Sequence, residues 1–255
     1  MPKTIVGWLE LGVIAIAGIW TLIHMILAAS GFTGEDYWGW ALLVLFVIAL
    51  ILAFVRFAGE RSSLAPHTDE QFPEPGISRF FLGSSGSAPV WFVIRMNVGA
   101  QWIVAGYEKI TSPVWGASGK ALGGFVAGAL KGAGGAHPSV QGWYAWFLQH
   151  VVMNALGLFS FMVTWGEFFV GVGILLGILT GIAAFFGVLM NLNYILAGTV
   201  SINPVIGTMA IFLVIAWRVC GWIGADRWLL PMLGLPWKPG SLFQQPPPHP
   251  RVASP

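Results

Sequence analysis

Residues 41–55, ALLVLFVIALILAFV, contain no polar side chain and decide the fold class of this 255-residue chain. A helix needs about 20 mostly apolar residues to cross the hydrocarbon core of a bilayer, and the apolar run around this stretch reaches that length. In the whole chain 56% of residues are hydrophobic and 9% are charged, whereas soluble domains carry about 25% charged residues. The composition therefore predicts an all-α integral membrane protein, with lipid as the solvent for most of its surface.

The apolar runs predict six transmembrane helices, which cover residues 5–29, 37–58, 90–110, 154–178, 181–201 and 204–224. We expect residues 1–58 to form an N-terminal helix pair, residues 59–89 a cytoplasmic linker, and residues 90–230 a core of four helices. Within that core, residues 111–153 are predicted to form an outer loop at the membrane interface, where aromatic rings are favoured. Residues 231–255 are predicted to form a Pro-rich tail.

Lysine and arginine residues predict the orientation of these spans. Cytoplasmic loops of membrane proteins carry more Lys and Arg than the loops on the other side. With six spans, one side of the membrane holds seven of these residues and the other holds three, which are Lys109, Lys120 and Lys131. The count predicts a multi-pass protein of the cytoplasmic (inner) membrane with both termini in the cytoplasm. The small net charge of +2 gives no indication of a nucleic-acid partner.

Several polar residues are predicted to lie inside the bilayer, and Glu167 is the acidic one among them. Glu167, Asn191 and Asn193 lie near the middle of their spans, and Arg95 lies nearer the cytoplasm. An ionised side chain at that depth costs at least a few kcal/mol unless a partner compensates for it. We therefore expect Glu167 to pair with Arg95, with the two asparagines completing the hydrogen bonds. Such a cluster has two interpretations: a proton-accepting wall beside a quinone, or a polar pin that fixes helix register.

Two pairs of residues suggest sites nearer the outer face. Lys109 and Lys120 lie there against the usual charge bias, and an outward basic pocket could hold a small anion. His24 and His150 lie at similar depth on different spans, as the two ligands of a haem or pigment would. His150 is too shallow for that role, so haem is not expected. No metal site is predicted, because the single cysteine excludes a thiolate cluster.

Glycines at four-residue spacing predict a close helix contact. Gly173, Gly177 and Gly181 recur at this interval within an apolar stretch. Small residues at this spacing let two helices approach closely in lipid. We expect these three glycines to lie on one helix face and to serve packing.

Short motifs follow one another in a distinctive order from residue 91 onward. They are Arg95-x3-Gly99, Gly106-Tyr107-Glu108-Lys109, Pro113-x-Trp115, Gly119-Lys120-Ala121-Leu122, His137-Pro138, Gly166-Glu167-x3-Gly171-x5-Gly177, Met190-Asn191-x-Asn193-Tyr194, Ser201-x-Asn203-Pro204, Ala216-Trp217-Arg218 and Gly224-x-Asp226-Arg227. No single motif is specific, but their order and spacing together resemble the DoxX family, and within it the DoxD-like branch. The resemblance covers about half of the chain.

The resemblance implies a DoxX-like core formed by the last four spans, to which this chain adds the N-terminal pair. It also implies a membrane subunit of a quinone-linked redox complex, similar to the small membrane subunit of thiosulfate:quinone oxidoreductase. The residues expected to be catalytic are Glu167 and Arg95. The residues expected to line the quinone site are Asn191, Asn193, Tyr194 and Arg218. The residues expected to bind the sulfur anion are Lys109 and Lys120.

Two other functions are compatible with the sequence. The chain could be a non-catalytic subunit that helps assemble a larger membrane bioenergetic complex, since it has no cysteine pair or clear metal motif. A small-solute transporter is supported only by the polar residues at the midplane, and the inverted repeats expected of one are not found. The expected partners are membrane lipid and other protein subunits, because no segment resembles the second subunit of the thiosulfate enzyme.

Overall fold

The computed structural model describes residues 4–31, 35–60, 74–116 and 118–235, and within these ranges the chain is helical with no strand. The α-helices are α1 Ile5–Ala29, α2 Glu35–Glu60, α3 Gly76–Gly83, α4 Ala88–Thr111, α5 Lys120–Lys131, α6 Gly142–Phe147, α7 Leu156–Leu176, α8 Thr180–Leu196, α9 Asn203–Ile215 and α10 Asp226–Met232. A 3-10 turn, Ser85–Ser87, precedes α4. A π segment, Leu148–Val152, and a second 3-10 turn, Met153–Ala155, join α6 to α7.

Three helical stretches of the described residues are long and apolar enough to cross a membrane. They are Ile5–Ala29, Tyr37–Gly59 and Gly142–Leu176, the last of which includes α6, the π segment and α7. Two shorter apolar helices are Thr180–Leu196 and Asn203–Ile215. These helices indicate a helical membrane protein, as the composition predicts.

The faces of α1 show why lipid suits this chain. The helix begins after Thr4, whose side chain accepts a hydrogen bond from the backbone nitrogen of Gly7 at 3.2 Å. Its buried residues form one stripe at intervals of three or four: Gly7, Glu10, Val13, Ala17 and Thr21. The other faces are apolar and exposed, for example at Ile16 and Ile19. A helix that is apolar on all faces is typical of a membrane span, whose exposed faces contact lipid.

The N-terminal pair contains its own buried acid, Glu10. Arg56 of α2 places its Nε 2.9 Å from Oε1 of Glu10, so the pair is joined by an ion pair as well as by apolar packing. Both α1 and α2 also pack against α4. The predicted N-terminal helix pair is therefore attached to the rest of the bundle through α4.

Helix α4 lies at the centre of the bundle, where it contacts α1, α2, α7 and α9. It packs closely against α7 because glycine stands at three of the contacts between the two helices. A Cβ on Gly99 would lie 2.8 Å from the backbone nitrogen of Leu175, and one on Gly106 would lie 2.5 Å from that of Phe168. Gly171 makes the reciprocal close contact from α7 to α4. These contacts fix an antiparallel register between the two helices.

The predicted outer loop, residues 111–153, is largely helical. Helix α5 lies within this predicted interfacial loop, and α6 continues through the π segment towards α7. These elements share an apolar cluster: Leu122, Val126, Ala129, Val140, Tyr144, Leu148 and Val152. The helix that leads into α7 therefore begins before residue 154, where the span was predicted to start.

Helices α8 and α9 are shorter than the spans predicted for them. Gly198, with φ of 81°, follows the end of α8 at Leu196, and turns follow α9 from Ala216 onward. Helix α9 has 13 residues and rises about 20 Å, whereas the hydrocarbon core is about 30 Å thick. The C-terminal part of the sixth predicted span, residues 216–224, is thus formed by turns.

The predicted alignment of Gly173, Gly177 and Gly181 on one helix face is wrong. Gly177 has φ of 70° and ends α7, so Gly181 belongs to α8. A glycine in the left-handed conformation is a common helix terminator. The close packing itself is present, because a Cβ on Gly173 would lie 2.8 Å from the Cβ of Ala183. Regular spacing in the sequence did not reveal the helix break.

The two remaining predicted segments are partly helical. The linker, residues 59–89, contains α3, whose Phe80 is buried against the N-terminal pair, and residues 61–73 lie outside the described part of the chain. The Pro-rich tail, residues 231–255, overlaps the end of α10, and residues 236–255 also lie outside the described part.

Candidate functional site

Arg95 lies at the junction between α7 and α8, and only 1% of it is exposed. Its Nε donates to the carbonyl of Ile174 at 2.7 Å, and its Nη2 donates to that of Leu175 at 2.7 Å. Its Nη1 donates to the carbonyls of Cys220 at 3.1 Å and Ile223 at 2.9 Å, in the turns after α9. Carbonyls at a helix C-terminus lack intrahelical donors, and a cation is favourable beside them. Arg95 therefore joins two parts of the backbone.

Asp226 accepts hydrogen bonds from backbone N–H groups at the N-terminus of α8, a role that was not predicted. Its Oδ1 accepts from the backbone nitrogen of Leu179 at 2.6 Å. Its Oδ2 accepts from the backbone nitrogen of Thr180 at 2.8 Å and from the hydroxyl of the same residue at 2.6 Å. A carboxylate at this position satisfies free N–H groups and interacts favourably with the helix dipole. We call Arg95 and Asp226 the junction charges.

The predicted pairing of Glu167 with Arg95 is wrong because of the register between α4 and α7. Gly106 of α4 contacts Phe168 of α7, so Glu167 lies near the level of Gly106. Arg95 lies eleven residues before Gly106, which corresponds to about 16 Å of helix rise. A side chain does not span that distance. The prediction counted depth from expected span ends, which say nothing about helix register.

Glu167 is instead bonded to side chains from two neighbouring helices, and only 2% of it is exposed. Its Oε2 lies 2.6 Å from the Nζ of Lys109 on α4. Its Oε1 accepts a hydrogen bond from the hydroxyl of Tyr194 on α8. We call these three residues the Glu167 cluster. The cluster joins α4, α7 and α8 and provides the partners that a buried carboxylate requires.

Lys109 has further contacts that hold its ammonium group in place. Its Nζ donates to the carbonyl of Ala105 at 3.4 Å and lies 5.1 Å from the ring centroid of Trp115, a cation–π arrangement. Lys120, the second residue of the predicted anion site, is exposed at the start of α5. The two lysines therefore lie in different surroundings, and the charge of Lys109 is paired with that of Glu167.

Asn191 is buried, but the predicted hydrogen bond from it to Glu167 is wrong. With its amide oriented so that both ends are satisfied, Asn191 donates to Oδ1 of Asn203 at 3.2 Å and to the carbonyl of the same residue at 3.1 Å. Its oxygen accepts from the backbone nitrogen of Gly207 at 3.2 Å. Asn191 therefore ties α8 to the first turns of α9.

The Glu167 cluster forms part of the wall of a cavity of about 300 Å³, which we call the polar cavity. That volume is at the lower end of the range of about 300–1,000 Å³ for small-molecule sites. Its polar lining residues are Gln101, Lys109, Glu167, Asn191, Tyr194, Thr199, Ser201 and Asn203. Its apolar lining residues are Trp102, Ala105, Trp115, Phe125, Ile202 and Ile206. The cavity thus offers hydrogen-bond donors and acceptors between aromatic surfaces.

A second cavity, of about 630 Å³, lies between α5, α6, α7 and α8, and we call it the apolar cavity. Phe125 and Tyr194 line both cavities. Asn193 lines the apolar cavity, where its Oδ1 accepts a hydrogen bond from the hydroxyl of Tyr144 at 3.0 Å. The predicted hydrogen bond from Asn193 to Glu167 is therefore also wrong. The two asparagines, close in sequence, serve different parts of the bundle.

Five residues of the predicted sites lie outside the walls of both cavities: Arg95, Lys120, Arg218, His24 and His150. Arg218 is exposed in the turns after α9. His24 stacks on Trp38 within the N-terminal pair, with 4.2 Å between ring centroids. His150 stacks on Trp146, whose carbonyl lies 3.0 Å from its Nδ1. Each histidine thus packs on a tryptophan of its own region. In the described part of the chain, no group of three or more His, Cys, Asp and Glu is placed to hold a metal ion.

The glycines of α4 and α7 are a feature of the sequence that indicates the contact between Lys109 and Glu167. If α4 and α7 are aligned antiparallel so that Gly99 and Gly106 face the backbone around Gly171, Lys109 lies within one turn of Glu167. Small residues mark close helix contacts in membranes, so they also mark register. The polar side chains of residues 199–203 had no comparable signal, because polar residues are common in turns.

Comparisons of the chain with known protein families, with curated proteins and with solved structures found no match.

Proposed function

We propose that this chain is the membrane subunit of a quinone-linked redox complex and that the quinone ring binds in the polar cavity. One observation carries the proposal. A buried carboxylate, bonded to a lysine and a tyrosine, lies in the wall of a cavity that also contains two indole rings, those of Trp102 and Trp115. A planar ring with two carbonyl oxygens requires such a combination of flat apolar surface and hydrogen-bond donors.

The cluster has groups suited to proton exchange. Reduction of a quinone to a quinol takes up two electrons and two protons. The hydroxyl of Tyr194 and the ammonium of Lys109 both carry protons, and both are bonded to the carboxylate of Glu167. A carboxylate between two such donors can accept and pass on a proton. The side chains of Gln101 and Thr199 line the same cavity and could donate to the carbonyl oxygens of the ring.

The ion pair also affects which ligand the polar cavity favours. Among the described residues that line the polar cavity, two are charged, Lys109 and Glu167, and their formal charges cancel. A neutral ring can enter without an uncompensated charge, whereas an anion would have to compete with Glu167 for the ammonium group. We therefore assign oxidation of the sulfur donor to a partner subunit. Two thiosulfate ions that join as tetrathionate would release the two electrons required.

The topology that accompanies this proposal has six spans and cytoplasmic termini, with a DoxX-like core of four spans. Helix α4 would be the third crossing. It has 24 residues, and its packing against α1, α2, α7 and α9 shields it from lipid, so its lower apolarity is compatible with a central span. The excess of Lys and Arg on the side of the termini supports the orientation.

A second candidate function is a structural one, and the same cluster supports it. Glu167, Lys109 and Tyr194 come from three different helices, so their bonds would also fix the arrangement of a non-catalytic assembly subunit. In that case the cluster would contribute to stability and to assembly without contacting a quinone. The two functions differ in whether removal of the carboxylate weakens quinone binding.

The test measures binding of a quinone analogue without a tail to purified protein in lipid nanodiscs, followed by quenching of tryptophan fluorescence. We expect Glu167→Gln to weaken binding roughly tenfold, because a charge-assisted hydrogen-bond network is lost. Glu108→Gln is the matched control, since it removes the same charge from the exposed residue next to Lys109 on α4. This control should bind like the unaltered protein.

Two results would contradict the quinone proposal. One is equal binding by the unaltered protein, Glu167→Gln and Glu108→Gln, with only Glu167→Gln reduced in stability, which is the result expected of a structural pin. The other is no saturable binding of any quinone analogue by the unaltered protein in the presence of its co-purified partners.

A further inference from the structure

The apolar cavity has about twice the volume of the polar cavity, at about 630 Å³ against about 300 Å³. Among the described residues that line it there is no Lys, Arg, Asp or Glu. Its walls are aromatic and aliphatic side chains of α5, α6, α7 and α8, such as Val126, Phe147, Phe159 and Met190. A cavity with this lining favours a hydrocarbon ligand.

The side-chain hydroxyl and amide groups in these walls, those of Tyr144, Tyr194 and Asn193, already have hydrogen-bond partners in the protein. The hydroxyl of Tyr144 donates to the carbonyl and to Oδ1 of Asn193, both at 3.0 Å, and Nδ2 of Asn193 donates to the carbonyl of Leu189 at 2.8 Å. The hydroxyl of Tyr194 donates to Glu167. A polar ligand would therefore lose its own hydrogen bonds to water without replacement, whereas a hydrocarbon chain would lose none.

One side of the apolar cavity is formed by side chains that are also exposed. Phe161 and Phe169 of α7 are each 62% exposed, and Phe186 of α8 is 50% exposed. The far side is closed by Val126 of α5 and Leu148 of the π segment, which are buried. In a membrane helix, exposed apolar side chains face acyl chains. The cavity therefore opens towards lipid between α7 and α8.

We propose that the apolar cavity holds the prenyl tail of the quinone whose ring lies in the polar cavity, and that the molecule enters from the bilayer between α7 and α8. This inference rests on the proposed function. Tyr194 and Phe125 line both cavities, so the cavities lie side by side with these two side chains between them. A ligand that extends past these side chains suits both cavities only if a polar ring is joined to an apolar chain. An acyl chain of a phospholipid would fill the apolar cavity, but its charged head group would not suit the neutral polar cavity.

The first test compares analogues that share one ring and carry no prenyl unit, two units or four. Affinities are measured in nanodiscs and corrected for partition of each analogue into the lipid. We expect the tailed analogues to bind roughly tenfold more tightly than the tail-less one, because the cavity adds packing contacts that fluid lipid does not match. The unaltered protein should show this ratio.

Gly166→Leu should bring the ratio of tailed to tail-less affinity close to one. A Cβ on Gly166 meets only the flexible end of Met190, at 3.3 Å, so a leucine there grows into the apolar cavity. Gly12→Leu is the matched control, because Gly12 lies in α1 with nothing within 4 Å of an added Cβ. Both changes replace glycine by leucine in a helix, so their effects on helix propensity are alike. The control should keep the tenfold ratio.

The outcomes separate this inference from the proposed function. If the tail-less ring binds but the corrected ratio is one in the unaltered protein, the tail site is disproved and the ring site stands. If no analogue binds, the proposed function fails first. A co-purified phospholipid that tailed quinones do not displace would overturn the assignment of the cavity to the tail.

A second measurement covers the case in which Gly166→Leu does not fold. A quinone with a photoreactive group at the end of its tail should label peptides of α5 or the π segment, which contain Val126 and Leu148. A tailed quinone without the photoreactive group should suppress the labelling, and a tail-less one should suppress it much less. Labelling confined to α1 or α2, or unaffected by competitor, would contradict the proposal.

Discussion

Two sets of buried charges in this bundle are neutralised in different ways. The junction charges bond mainly to the backbone: Arg95 donates to four carbonyls, and Asp226 accepts from two backbone nitrogens. The Glu167 cluster is made of side chains that bond to one another in the wall of a cavity. The backbone groups at the junction are enclosed by protein, whereas side chains beside a cavity can exchange partners with a ligand. The kind of partner therefore indicates function better than the burial of a charge does.

The largest effect should come from the junction, through Arg95→Met. This change removes a donor from four carbonyls, of which that of Ile174 keeps the backbone nitrogen of Gly177 at 3.3 Å. It should lower the free energy of unfolding by about 4 kcal/mol, since each unsatisfied buried group costs about 1–3 kcal/mol. The measurement is unfolding of purified protein in mixed micelles. Arg218→Met, at an exposed position, is the control and should change little. Equal effects of the two changes would contradict the structural role of Arg95.

A smaller effect is expected for Asp226→Ala, which removes the cap of α8. The expected loss is about 2 kcal/mol, at the upper end of the range for a helix cap, because this carboxylate also bonds the hydroxyl of Thr180. Asp226→Asn should lose less, since asparagine is also a good cap. The same unfolding assay distinguishes the two. A loss that is as large for asparagine as for alanine would mean that the charge, and not the cap, is what matters.

The smallest effect is expected in the Glu167 cluster, and it should be non-additive. Glu167→Gln and Lys109→Met should each cost about 1–2 kcal/mol, because each leaves an incompletely paired charge that the cavity partly relieves. The double variant should cost less than the sum, since neither charge remains. Lys131→Met, at an exposed position on α5, serves as the control for loss of a lysine. A strictly additive double variant would argue against direct pairing and would weaken the contrast with the junction.

The fold class could be predicted from composition because lipid tolerates few charges. The bounds of α1, Ile5–Ala29, coincide with the prediction, since a peripheral helix is limited by its own apolar run. The C-terminal ends of α8 and α9 could not be predicted in the same way. Near them the backbone bonds to residues distant in sequence: Tyr144 donates to the carbonyl of Asn193 in α8, and Arg95 donates to that of Cys220 after α9. Local hydropathy contains no information about those partners.

The candidate site was also predictable only in part, because the sequence shows which residues are unusual but not which residues they contact. Glu167 stood out as an acid within an apolar stretch, and the structure buries it. Its partners, Lys109 and Tyr194, depend on the rotation and register of three helices, which periodicity alone does not determine. Tyr194 and Lys109 were both assigned to possible sites, but not to contact with Glu167. The glycines of α4 and α7 were the only sequence feature that reported on that register.

The turns that follow α9 have a consequence for the solvation of the chain. Unwound backbone is excluded from hydrocarbon unless something other than lipid saturates its carbonyls. At Cys220 and Ile223 the guanidinium of Arg95 takes the place that water occupies in a soluble protein. One arginine thus replaces water at two carbonyls, so these buried turns need neither a bound water molecule nor a helical hydrogen bond there.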